Sequence, residues 1–131
     1  MAAEAVILFN PDKAKEGFLR QKRAGQLLSK QRYLAAQLTA MAEDNLWLDI
    51  GRESNAKTAR LCAALREING TDIPEIINSN MTFIRLQPDQ IKRLQDEGLA
   101  GYMYDDTRMR ICCSWSTTDA EIDRFIELVS G

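Results

Sequence analysis

The apolar positions of the chain change their period along its length, and the changes predict its elements. Ala5-Val6-Ile7-Leu8-Phe9 is an unbroken apolar run, the pattern of a strand covered on both faces in a mostly parallel sheet. Asn10 and Pro11 supply an N-cap and a first helical residue, so a helix is expected directly after that strand. From Asp12 to about Ala42 there is no proline, and Phe18, Leu27, Leu28, Leu34, Ala35, Leu38 and Met41 keep helical spacing. One long helix, or two joined near Gly25, fits this stretch. A second helix is expected from about Asp44 to Ile68, with Trp47, Leu61, Cys62 and Leu65 on its apolar side and Asn69-Gly70 ending it.

After Pro74 the period shortens. Met81 to Leu86 reads as a strand, Pro88 to Glu97 as a helix stopped by Gly98, and Tyr102 to Tyr104 as a brief strand. Asp105-Asp106-Thr107 is a turn signal, and adjacent aspartates in that setting serve a turn more readily than an acid and base pair. Arg108 to Cys113 is the next strand. Thr118 with Glu121 three residues on forms a capping box that opens a helix carrying Ile122, Phe125, Ile126 and Val129. The expected architecture is α/β: an N-terminal strand, two long helices, then βαββα. The N-terminal strand is the anomaly, because no second run of its kind lies near enough in sequence to pair with it.

Composition narrows the function. With 131 residues, 45% hydrophobic and 27% charged, the chain can bury a core as a single soluble domain. The net charge of −2 offers no long-range attraction to a polynucleotide. An RNA-binding sheet would need exposed strand aromatics on a basic surface, and neither the aromatics nor the charge supports one. The apolar runs are too short for a signal-peptide core or a membrane span, so a cytoplasmic protein is expected, with no membrane partner. Cys62, Cys112 and Cys113 suggest neither a disulfide framework nor a metal site and are expected to be buried, reduced thiols. The absence of histidine removes histidine triads and most zinc chemistry.

Two features carry more chemistry. Arg110 lies within Met109-Arg110-Ile111-Cys112-Cys113; if Met109, Ile111 and Cys113 face the core, Arg108, Arg110 and Cys112 share the other face. There Arg110 is either an exposed strand arginine or a guanidinium fork for a carboxylate. The basic positions Lys15, Arg20, Lys22, Arg23, Lys30 and Arg32 are either a solvated helix face or a phosphate contact.

The stretch Gln21-Lys22-Arg23-Ala24-Gly25-Gln26-Leu27-Leu28-Ser29-Lys30-Gln31-Arg32-Tyr33-Leu34-Ala35-Ala36-Gln37 resembles a segment of the bacterial low-specificity L-threonine aldolases and phenylserine aldolases, within the β-eliminating lyase group. Glu4 to Pro11, Asn45-Leu46-Trp47-Leu48, Ser54-Asn55-Ala56, Ser79-Asn80 with Phe83, Arg108-Met109-Arg110-Ile111 and Ser114-Trp115 follow in the family order, so the resemblance runs nearly end to end.

That resemblance implies the fold-type-I arrangement of the aspartate aminotransferases. In it, residues 1–131 would be the C-terminal small domain, and residues 1–10 the last strand of a large domain that is otherwise missing. It implies pyridoxal 5'-phosphate as cofactor and cleavage of β-hydroxy amino acids such as L-threonine to glycine and an aldehyde. The lysine that forms the Schiff base with the cofactor would lie upstream, leaving no catalytic residue in this chain and no activity in it alone. By position, Arg110 matches the arginine that holds the substrate α-carboxylate. Lys22, Arg23 and Lys30 fall in a basic segment that reaches the cofactor phosphate or a neighbouring subunit. Gln26 departs from the histidine that many relatives have there, which puts in question any role of that position in placing the substrate. The implied partners are the missing large domain or further copies in a homo-oligomer. The alternative is a noncatalytic dimerisation or small-ligand-binding module, since βαββα units recur in such domains.

Overall fold

The computed structural model describes residues 3–131. The chain falls into two compact units, one ending at Trp47 and one comprising Leu48–Gly131.

In the first unit, Asn10 caps helix α1 (Pro11–Arg23), its side-chain oxygen accepting from the Asp12 backbone N–H at 2.9 Å, and Pro11 stands at the first helical position. This is the start expected from Asn-Pro. The helix closes through Ala24, Gly25 and Gln26, whose N–H groups return to the Arg20, Lys22 and Gln21 carbonyls. Gly25 takes φ +71°, a backbone that costs glycine least. Helix α2 (Arg32–Ala42) follows, so the second of the two expected layouts, a pair of helices broken near Gly25, is the observed one. Leu27 and Leu28 lie in the break and are exposed.

The N-terminal strand is corrected. Residues 3–10 form no strand, and Val6 and Phe9 are 87% and 94% exposed. An extended run becomes a strand only when its N–H and C=O groups find a neighbour, and among the described residues none pairs with this one. Leu8 instead lies against α1, where a side chain added at Gly17 would meet it at 2.7 Å.

A 3-10 turn at Glu43–Asn45, with Asp44 and Asn45 in the left-handed region, precedes helix α3 (Leu46–Arg66). Leu61, Cys62 and Leu65 are buried on α3 as its period predicts, whereas Trp47 is exposed. Thereafter the order is strand β1 (Met81–Arg85), helix α4 (Pro88–Asp96), strand β2 (Tyr102–Met103), strand β3 (Arg108–Cys112) and helix α5 (Asp119–Ser130), the expected βαββα. The sheet is antiparallel throughout, in the order β1-β3-β2.

One sheet face and the apolar sides of α3, α4 and α5 supply the core: Leu61, Leu65, Ile84, Leu86, Leu94, Met109, Ile122 and Val129 are all nearly inaccessible. The polar groups drawn in with them are satisfied. Gln90 donates to the Asn69 and Val129 carbonyls and accepts from the Gln87 N–H, and Thr58 donates to the Asn80 carbonyl. The outer edge of β1 is blunted against further pairing: Asp72 takes both backbone bonds of Arg85, and the Ser79 hydroxyl bonds the N–H and C=O of Met81. Thr118 and Glu121 form the predicted capping box of α5.

Candidate functional site

Strand β3 alternates as its sequence predicts. Met109, Ile111 and Cys113 are buried, while Arg110 and Cys112 are exposed on the opposite face and Arg108 is half-buried. Cys112 therefore corrects the expectation that all three cysteines are buried: Cys62 and Cys113 are, and Cys112, two residues from Arg110 on the same face, is not. Burial pushes the Cys62 thiol up to about 11.

The exposed face is built in rows by the register. Arg110 stands opposite Phe83 on β1 and Tyr102 on β2, and Arg108 stands opposite Arg85. The Arg110 guanidinium lies over the Tyr102 ring, 5.1 Å from its centroid; Arg108 lies over Tyr104 at 4.7 Å. Phe83 meets Tyr104 edge to face, with centroids 5.4 Å apart. The face thus carries the exposed strand aromatics that the sequence reading did not find.

Its three arginines differ in one respect. Arg108 is tied to Asp105 at 2.6 Å, and Arg85 faces Asp72 at 3.8 Å while donating to the Thr107 hydroxyl at 2.9 Å. Arg110 has no carboxylate partner among the described residues. The face therefore offers one uncompensated guanidinium with flat apolar neighbours, which suits a single small anion better than a polyanion needing a track of cations. Arg110 and Tyr102 also line an open cleft of about 380 Å³, shared with Cys112, Ile111 and Glu121.

Asp105 and Asp106 form the turn that the sequence suggested, and Asp105 does the bonding. Its carboxylate accepts from the backbone N–H groups of Thr107 and Arg108 and from the Arg108 side chain. The Arg108 guanidinium, with those two N–H groups, holds its carboxyl well below the usual carboxylate range. Glu121 is lowered as well, by the Thr118 backbone and hydroxyl bonds of the capping box.

The basic residues singled out in the sequence lie in the first unit. Lys22 and Arg23 end α1, and Lys30, with φ +66°, sits in the turn before α2; Arg20 is the member of this group paired to a carboxylate, that of Glu16 at 2.6 Å. Lys22, Arg23 and Lys30 form no ion pair among the described residues. Sequence reasoning missed two residues of the other face. Tyr102 pairs with Arg110 only through the register, and Gly101 admits β2 there, since an added Cβ would collide with the Arg110 carbonyl oxygen.

No family model matches the chain. A low-specificity L-threonine aldolase of Pseudomonas aeruginosa is 35% identical to it over 133 residues, covering 98% of this chain and 38% of that protein. The chain is homologous to part of a threonine aldolase. A second low-specificity L-threonine aldolase, from a Pseudomonas species, is 29% identical over 120 residues, covering 91% of this chain and 35% of its own length. The solved structure of Leishmania major threonine aldolase superposes with a TM-score of 0.70 at 30% identity, over 83% of this chain and 33% of that one. The chain thus spans little more than a third of the curated aldolases it matches, at 38% and 35% of their lengths. Among the described residues, no helix is long and apolar enough to cross a membrane, and no cluster of side chains could hold a metal ion.

Proposed function

We propose that the chain is the C-terminal part of a pyridoxal-phosphate-dependent aldolase of fold type I, acting on L-threonine or related β-hydroxy amino acids, and that Arg110 holds the substrate α-carboxylate. The observation that carries this reading is the unpaired Arg110. A guanidinium left without a carboxylate among the described residues, between Phe83 and Tyr102 and where two neighbouring arginines are each matched, is a fork with an open position for one. The relationship to the aldolases over a third of their length supports the rest.

Lys22, Arg23 and Lys30 fit a phosphate, being exposed cations around one turn with no carboxylate of their own among the described residues, and would hold the cofactor phosphate or contact a neighbouring subunit. When bound, pyridoxal phosphate takes up the electrons released as the Cα–Cβ bond of the substrate breaks. The chain's own contribution is to hold: Arg110 fixes the carboxylate and so orients the bond to be broken. The lysine that binds the cofactor comes from the remaining two thirds of the aldolase, and residues 1–131 alone have no aldolase activity. The exposed run Val6-Ile7-Leu8-Phe9 then becomes a strand when the large-domain sheet, or another copy in an oligomer, covers it.

The test is a carboxylate titration of the chain followed by NMR at the side-chain Nε–H of each arginine. Acetate is expected to shift Arg110 more than Arg85 or Arg108, and Arg110→Ala to remove the response of the β3 amides. Equal shifts at all three arginines would overturn the assignment.

A further inference from the structure

We infer that Tyr102 is a positioning residue, which holds the Arg110 guanidinium in place as a preset anion fork. This rests on the reading of Arg110 as the carboxylate ligand and extends it to the residue that makes the fork ready. An arginine on an exposed sheet face has four freely turning side-chain bonds, and an anion that must first order them binds more weakly. The Arg110 guanidinium is not left to turn. It lies over the Tyr102 ring at 5.1 Å. A cation over a ring face spends no hydrogen-bond donor on it, and the Arg110 guanidinium N–H groups have no partner among the described residues, so they remain for a carboxylate.

The placement is built into the sheet. Tyr102 is the direct cross-strand partner of Arg110, and Gly101 before it lets β2 approach the Arg110 carbonyl too closely for any other residue. The ring alone performs this role, because the Tyr102 hydroxyl has no hydrogen-bond partner among the described residues. The same sheet supplies an internal control. Arg108 lies over Tyr104 at 4.7 Å, a contact of the same kind, yet its Nε–H donates to Asp105, whose carboxylate already offsets its charge. The Tyr104 contact therefore presents no uncompensated charge to a ligand.

The experiment compares the chain with Tyr102→Phe, Tyr102→Leu, Tyr102→Val, Tyr104→Leu and Arg110→Ala, each titrated with sodium acetate. The readouts are the shift and the order of the Arg110 Nε–H, with the β3 amides as a second probe. Tyr102→Phe and Tyr104→Leu should bind as the unaltered chain does. Tyr102→Leu should bind about threefold more weakly, the size of an exposed cation–π contact, with Arg110 Nε losing its order. Tyr102→Val keeps strand preference without a ring and must follow Tyr102→Leu, which separates loss of the stack from loss of β2. Binding in the two ringless variants equal to that of the unaltered chain overturns the inference, as does an equal loss in Tyr102→Phe. An acetate response of the β3 amides that survives Arg110→Ala would instead overturn the reading of Arg110 itself.

Discussion

The two units of the chain carry comparable helical signals and put them to different use. Helix α1 forms where its Asn-Pro cap places it and α2 where the period resumes after the break, yet neither has a buried residue; α3, α4 and α5 each bury a stripe in one core. Period and caps decide that a segment is helical, and a packed partner decides whether its apolar side leaves water. The first unit keeps Val6, Phe9, Phe18 and Leu28 exposed, whereas the second closes a core beneath its sheet and presents Arg110 on the opposite face.

The largest expected effect breaks this comparison most sharply. Leu94→Ala, at a fully buried position of α4, should lower unfolding free energy by about 2–5 kcal/mol. Phe9→Ala, at a fully exposed aromatic, should change it by less than about 0.5 kcal/mol. Denaturant unfolding measures both, and equal losses would mean that the first unit has a core of its own.

Gly101→Ala sharpens the account of the second unit. The added methyl meets the Arg110 carbonyl, so a loss of about 1–3 kcal/mol is expected, with displacement of the Tyr102 ring signals. An unchanged melting curve with unmoved Tyr102 resonances would show that β2 approaches β3 less closely.

A smaller effect concerns the turn that holds Arg108. Because the folded state depresses the Asp105 carboxyl, its contribution is present above the unfolded value of about 3.9 and is lost as pH falls through the folded value. The group is exposed, so the contribution is small and weakened by salt. Amide shifts of Thr107 and Arg108 should stay constant down through the ordinary carboxylate range and move only in stronger acid. Movement centred near pH 4 would contradict the paired geometry.

Much of the second unit was legible in the sequence because its determinants are local. The Thr118-Glu121 box, the Asp105 turn and the alternation of Met109, Arg110 and Ile111 each act within a few residues. The face of Arg110 followed from that alternation. What the sequence concealed is non-local. Whether Ala5 to Phe9 forms a strand depends on a neighbour that the run itself does not encode. The opposition of Tyr102 and Phe83 to Arg110 is a property of register, set when β1 and β2 dock on β3. Leu27 and Leu28 kept helical spacing across a break whose cause, the left-handed backbone at Gly25 and Lys30, leaves only a single glycine as its sign.

The most direct test of the central claim is to incubate the purified chain with pyridoxal phosphate and L-threonine or phenylserine, following release of the aldehyde and covalent attachment of the cofactor to a lysine by mass spectrometry. The account predicts no aldehyde above the level given by free cofactor and no stoichiometric lysine adduct. Stoichiometric attachment to one of the chain's own lysines with catalytic release of aldehyde would contradict it.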